Sequence, residues 1–235
     1  MANEIDDIQP ESGIMTLPIF PLPLVLLPGE LLPLHIFEDR YRKMLTDIEA
    51  GDKAFGIILF EAEGEFADRP LTGSTGTVAV LRESETLADG RSNILTLGSS
   101  RFRLLDYIDG IEPYHVGEVE LFDDEADDSP ELTKLADETF ELFKRIAKAA
   151  FKMGGSRGSL PELERTDPEA LSFLITAGFN FENELKMRMI EMTSTFDRLK
   201  KLEDVLTQAV GQIEESADIQ TVARTNGHSK KKLDL

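Results

Sequence analysis

Three histidines, no cysteine and 45 acidic side chains are the raw material for chemistry in this chain of 235 residues. Without cysteine there can be no disulfide, no thiolate metal site and no cysteine nucleophile. His35 lies inside the apolar run Leu34-His35-Ile36, and His115 shares strand parity with Val119 and Leu121, while His228 stands near the end. Strand histidines of this kind read as hydrogen-bonded structural groups. A metal site built on two of them would need a third ligand at zinc spacing, and the sequence offers none. A serine nucleophile would call for an elbow such as G-x-S-x-G on a strand-to-helix turn; Gly154-Gly155-Ser156-Arg157-Gly158 has that spacing, but it falls in a glycine-rich loop after a helical stripe, with no strand before it. Gly73-Ser74-Thr75-Gly76-Thr77 and Gly154-Gly155-Ser156-Arg157-Gly158-Ser159 are glycine-rich, but neither ends in the Lys-Ser/Thr pair that a phosphate loop requires. The expectation is a protein without catalytic residues, metal or cofactor. The rival expectation, an enzyme with an unfamiliar site, would show as His35 or His115 beside converging carboxylates in a deep pocket.

Binding chemistry is better represented. Leu22, Leu24, Val25, Leu26 and Leu27 form an apolar loop bounded by Pro21 and Pro28. Five apolar side chains in so short an irregular segment are hard to bury together, which predicts that part of the loop stays open and holds unfolded polypeptide. Arg101 and Arg103 flank Phe102 in a strand-like run, so both should point one way and Phe102 the other. They read either as a solvated face or as the polar rim of a binding cleft. Glu38 and Arg40 read as a pair at the corner between a strand and a helix. Met189 and Met192 fall on a helical core stripe, whereas Met187 falls off it.

Charge narrows the partners. With 25 basic against 45 acidic side chains the net charge is −20 and the isoelectric point about 4.5, so a phosphate backbone would be repelled. The Lys230-Lys231-Lys232 tail is the local exception. The most apolar stretch, Leu17 to Phe37, holds Pro18, Pro21, Pro23, Pro28, Pro33 and, in its middle, Glu30, which excludes a spanning helix. Met1 to Pro10 are acidic and polar rather than leader-like, which leaves the cytoplasm as the expected compartment.

The elements that must position these residues change character near residue 123. Before it, short apolar runs predict strands at Gly13–Ile19, Leu31–Ile36, Ala54–Phe60, Gly76–Arg82, Ser92–Leu97, Phe102–Ile108 and His115–Leu121, with a hairpin turn at Ala88-Asp89-Gly90-Arg91. So many short strands predict a closed or partly closed barrel. One helix interrupts them, since Phe37, Tyr41, Met44, Leu45 and Ile48 recur at helical spacing and Gly51 suits the end. Residues 123–130 are an acidic run that reads as a linker. Residues 131–215 then read as a helical bundle. Ser129-Pro130 and Asp167-Pro168 are start signals, a glycine-rich loop lies at Gly154–Ser159, and Thr193-Ser194-Thr195 breaks the last stripe into two helices. Residues 1–13 read as a flexible N-terminus and 216–235 as a disordered tail.

Several of these pieces stand in a recognisable order. Leu17-Pro18-Ile19-Phe20-Pro21-Leu22, Leu27-Pro28-Gly29, Leu32-Pro33-Leu34, Ile36-Phe37-Glu38 and Arg40-Tyr41 closely resemble the opening motif of the Lon N-terminal (substrate-binding) domain. Gly51-Asp52, Gly76-Thr77-Val78-Ala79, Asp89-Gly90-Arg91, Gly98 with Arg101-Phe102-Arg103, and Pro113-Tyr114 follow in the expected order, as do Glu184-Leu185-Lys186 through Met192 and Arg198-Leu199. The resemblance implies an α+β fold in which a PUA-like β-barrel with one inserted helix, residues 14–122, precedes the helical bundle. It makes Pro28, Gly29, Pro33, Phe37, Glu38, Arg40 and Tyr41 motif residues with structural roles. It also implies a free-standing module without the family's ATPase and peptidase parts, which binds unfolded or tagged polypeptides as an adaptor for a separate protease or as a holdase. The alternative is a PUA-like nucleic-acid-binding protein, disfavoured by the charge.

Overall fold

Alternation of buried and open side chains along β1, Ile14–Leu22, sends Leu17 and Ile19 to one apolar cluster and Phe20 to another. The same alternation recurs in β6, where Gly117, Val119 and Leu121 are buried and Glu118 and Glu120 exposed. The computed structural model describes residues 13–61, 69–153 and 164–226. Five further strands are β2 (Leu31–Ile36), β3 (Ala54–Leu59), β4 (Thr75–Thr86), β5 (Ser92–Tyr107) and β6 (His115–Phe122). They form one sheet in the order β2-β5-β4-β3-β1-β6, and β5 also pairs with β6. Hydrogen bonding thus runs round β5, β4, β3, β1 and β6 and back to β5, while β2 hangs from the first half of β5.

The two strands expected at Ser92–Leu97 and Phe102–Ile108 are one 16-residue strand. It changes neighbours along its length: Ser92 to Leu97 pair with β2, and Arg101 to Tyr107 pair with β6. Gly98 marks the change. A Cβ there would sit 2.1 Å from the Leu27 carbonyl oxygen, so only glycine lets the Pro21–Pro28 loop lie against β5.

Helix α1, Asp39–Ala50, lays Tyr41, Met44, Leu45 and Ile48 on Phe20, Phe55, Ile57, Ala79 and Ile94. Phe37 was expected on that stripe but precedes the helix and is exposed. The chain reverses after α1 at Lys53, φ 56°, rather than at Gly51, φ −117°. Lys53 is held there by its N–H to the Ile48 carbonyl (3.0 Å) and by its own carbonyl, which accepts from Leu81 N–H (2.8 Å). The second cluster draws Leu17, Ile19, Ala54, Ile58, Val78, Phe102, Leu104, Val119 and Leu121 from all five ring strands.

The other elements are α2 (Pro130–Met153), α3 (Pro168–Gly178), α4 (Asn183–Glu191) and α5 (Thr195–Asn226). The cap signals behave as expected. Ser129 Oγ accepts from Leu132 N–H (3.1 Å), Asp167 Oδ1 from Ala170 N–H (2.9 Å), and Ser194 Oγ from Asp197 N–H (3.1 Å). The chain divides into two units. One contains the strands, α1 and Thr176–Thr193 with α4; the other contains Ala126–Ile175 and the chain from Ser194 on. The expected bundle at 131–215 is therefore corrected, because 176–193 groups with the strands. In the second unit, α2 and α5 pack through Leu132, Leu135, Ile146, Leu199, Leu202, Leu206 and Val210, all buried. It also buries Arg198, whose guanidinium donates to Ser172 Oγ (2.6 Å) and stacks on Phe173 (4.1 Å). The tail expected from 216 is corrected as far as Asn226, since the run from Glu214 to Asn226 holds no proline or glycine and continues as helix. The expectations for residues 1–12, for most of the loop after α2 and for 227–235 lie outside the described residues.

Candidate functional site

The apolar loop expected to hold polypeptide is mostly core. Val25, Leu26 and Leu27 are buried, and Leu22 and Leu24 are half-buried against the α1 cluster. Three polar anchors pull the loop inward: Thr77 Oγ1 donates to the Leu26 carbonyl (2.7 Å), Leu27 N–H donates to Glu30 Oε2 (3.0 Å), and Gly29 N–H donates to the Gly98 carbonyl (2.9 Å). The expectation that this loop offers an open patch is thus corrected for Val25, Leu26 and Leu27. A proline-rich segment can be buried here because its backbone finds partners outside any ladder of its own: the Leu26 carbonyl accepts from Thr77 on β4, and the N–H groups of Leu27 and Gly29 donate to Glu30 and to the Gly98 carbonyl on β5.

Arg101 and Arg103 do share a face, as strand parity requires, since both guanidinium groups lie over the Phe122 ring at 4.8 and 5.8 Å. Their environments differ. Arg103 is exposed, whereas the Arg101 side chain is 2% exposed and meets an Asp124 side chain only 4% exposed at 2.6 Å. Its other nitrogen donates to the carbonyls of Met192 (2.6 Å) and Ile190 (3.3 Å), at the C-terminal end of α4. A cation there meets the negative end of the helix dipole. Arg101 therefore ties α4 to the strands and cannot line a cleft rim. Asp124, read from sequence as part of an unpacked linker, is the other half of that tie.

Among the motif residues, Tyr41 is core, Arg40 pairs with Glu38 (2.9 Å) over the Tyr41 ring, and Gly29 takes φ 77°. Pro28 is half-buried, while Pro33 and Phe37 are exposed.

Titratable clusters are few. Tyr114 donates to Asp47 Oδ2 (2.8 Å), Lys43 bridges Asp47 (2.5 Å) and Glu112 (3.3 Å). Burial and then the Asp47 hydrogen bond push the Tyr114 phenol up, and Lys43 followed by Tyr114 holds Asp47 below its ordinary range. Both groups move away from neutrality, the wrong direction for proton exchange near pH 7. His35 Nδ1 lies 2.7 Å from Asn93 Oδ1 on the surface, and His115 packs edge-on to Tyr107. Among the described residues no three His, Asp or Glu side chains are placed to hold a metal ion, and no helix is long and apolar enough to cross a membrane.

What the strand unit does present is β2. It ends the sheet order, and among the described residues no strand pairs with its outer edge. Its outward side chains are Leu31, 58% exposed, Pro33 and His35, followed by Phe37, 61% exposed and stacked on His35. Register carries this strip across the sheet: Leu31 opposes Leu97, Pro33 opposes Leu95, and His35 opposes Asn93, with Leu95 and Leu97 half-buried. A strip of apolar side chains at period two beside an unpaired backbone edge is the surface on which an extended chain can add. Pro33 has no N–H and shortens the run of free donors, which limits sheet-to-sheet aggregation. Of the other exposed large apolar side chains, Leu71, Ile108 and the fully exposed Ile111 stand beside turns, Ile14 opens β1 and Leu174 lies on α3. Sequence reasoning placed β2 correctly but passed over its edge, because edge position follows from the pairing order alone.

Residues 16–208 match the family described as the ATP-dependent protease La (LON) substrate-binding domain. The chain is 27% identical over 225 residues to the Lon protease of Roseiflexus castenholzii and 26% identical over 215 residues to that of Trichlorobacter lovleyi. These alignments cover 95% and 88% of this chain but 27% and 26% of those proteins, so the chain spans about a quarter of their length. The fold is similar to the crystal structure of a Lon N-terminal domain protein from Xanthomonas campestris, with TM-score 0.60 and 22% identity over 80% of this chain and 96% of that one. It is also similar to the N-terminal domain of Mycobacterium avium complex Lon protease, with TM-score 0.59 and 20% identity over 82% and 98%. An α+β chain whose strand unit ends in an open apolar edge, matched along most of its length, belongs to the Lon substrate-binding domain family.

Proposed function

We propose that this chain recognises unfolded or tagged polypeptides in extended form and delivers them to, or withholds them from, a separate protease, and that its contact surface is the outer edge of β2. The strand unit is then a PUA-like barrel used for protein, with the closed pairing of β5, β4, β3, β1 and β6 as its frame. The observation that carries the reading is the conjunction of an unpaired edge with exposed Leu31, Pro33 and Phe37 at alternate positions. Main-chain hydrogen bonds along the edge accept any sequence, and the alternate side chains add affinity for apolar clients. Half-buried Leu22 and Leu24, and exposed Arg103, are not needed by this surface. The nucleic-acid alternative is disfavoured, since a chain of net charge −20 repels phosphates.

Each well-buried apolar side chain contributes about 1.5–3 kcal/mol. Removing one anchor should therefore weaken binding by roughly tenfold or more. Anisotropy titrations of fluorescein-labelled, unfolded β-casein against wild type, Leu31→Ser and Phe37→Ser test this. Unchanged affinity in both variants, with circular dichroism preserved, would remove β2 from the binding surface. An Ile111→Ser control should bind as the wild type does.

A further inference from the structure

The β2 edge does not face a neutral sheet. Register on its far side places Glu83 opposite Leu95 and Glu85 opposite Asn93, so the rows read Leu31–Leu97–Val80, Pro33–Leu95–Glu83 and His35–Asn93–Glu85. The strip grades from apolar at Leu31 to acidic at the His35 end. Glu83 and Glu85 are both exposed, and neither joins an ion pair among the described residues. The nearby charges largely cancel in pairs: Arg91 with Asp89 (2.5 Å) and Arg40 with Glu38 (2.9 Å). Arg82, exposed at the irregularity between Leu81 and Glu83, is the one opposing charge on β4 beside them. Over the whole chain acids outnumber bases by 20.

Given the polypeptide-binding reading above, on which this rests, we infer that the surface selects extended segments that carry lysine or arginine two positions from an apolar residue, so that both point to the same face. Adjacent strands are about 4.8 Å apart, so Glu83 and Glu85 lie roughly two spacings from β2. From a strand added one spacing further out, a long cationic side chain on the same face can lie back across Pro33 toward them, burying its methylene stem there and bringing its charge within about a Debye length of the two carboxylates. At longer range the net negative field gathers cationic segments and turns away acidic ones, an effect that salt weakens. The preference is therefore for apolar and basic segments together, where the apolar strip alone would take either charge.

The test uses three labelled, unstructured peptides with the same apolar residues and with lysine, serine or glutamate two positions from each, titrated at low and at physiological ionic strength. The expected order is lysine, serine, glutamate, with about tenfold or more between first and last at low salt and a narrower gap at physiological salt. The double variant Glu83→Lys/Glu85→Lys should erase or invert the order. Leu31→Ser should weaken all three while keeping the order. Equal binding of the three peptides, or an order that survives the double variant, would overturn the selectivity and leave polypeptide binding standing. Failure of all three to bind, or indifference to Leu31→Ser, would overturn the reading and the selectivity with it.

Discussion

Arg101→Met is the substitution whose consequence the structure specifies most closely. It leaves Asp124 as a carboxylate 4% exposed with its cationic partner gone, and leaves the Ile190 and Met192 carbonyls without their guanidinium donor. Removing one half of a buried pair costs about 3–5 kcal/mol, most of it the penalty of the stranded charge. At about 2–4 °C per kcal/mol for a chain of this size, the thermal midpoint should fall by roughly 6–20 °C. Replacing both partners, Arg101→Met with Asp124→Leu, removes that charge and should recover about half or more of the loss. Urea titrations of wild type, Arg101→Met, Asp124→Leu and the double variant supply the cycle. Amide hydrogen exchange locates the effect, since protection should fall first in α4, Asn183–Glu191, whose C-terminal end Arg101 holds. A single variant within about 1 kcal/mol of wild type, or a double variant no better than Arg101→Met, would refute a stability role for the pair.

Three further outcomes follow from other contacts. Gly98→Ala should destabilise by about 2 kcal/mol or more, because its Cβ would meet the Leu27 carbonyl at 2.1 Å, whereas Gly29→Ala, with nothing within 4 Å but φ 77°, should cost only about 1 kcal/mol; chemical denaturation of the two side by side checks the contrast. Leu26→Asp puts a carboxylate into the α1 cluster and should abolish the cooperative thermal transition outright, so loss of binding in that variant would reflect unfolding. Asp47 titrates below its ordinary range in the folded chain because Lys43 and Tyr114 donate to it, so its contribution is present above the ordinary carboxylate range and disappears as pH falls through the lowered folded value. Midpoints measured from neutral to acid pH should fall less steeply in Asp47→Asn, and an unchanged slope would show that the pair is too exposed to matter.

The strands, their approximate limits and the caps were legible because each depends on neighbours in the chain. Ser129, Asp167 and Ser194 start helices through bonds to residues three positions on. Tyr41, Met44, Leu45 and Ile48 mark a face through period alone. The pieces from Leu17 to Leu199, in their joint order, indicated the family, and the match over residues 16–208 bears it out.

What composition could not convey was which apolar and charged residues the fold would enclose. Three residues of the apolar loop became core because Thr77, Glu30 and Gly98, distant or outside the run, supply partners for its backbone. Arg101 and Asp124 looked like surface charges and are buried together, since burial depends on α4 returning to the strands some 60 residues later in the chain. The open edge of β2 is likewise a property of strand order, which local pattern does not encode. Periodicity says which way a side chain points along its own element; only the packing of distant segments says what, if anything, lies on the other side.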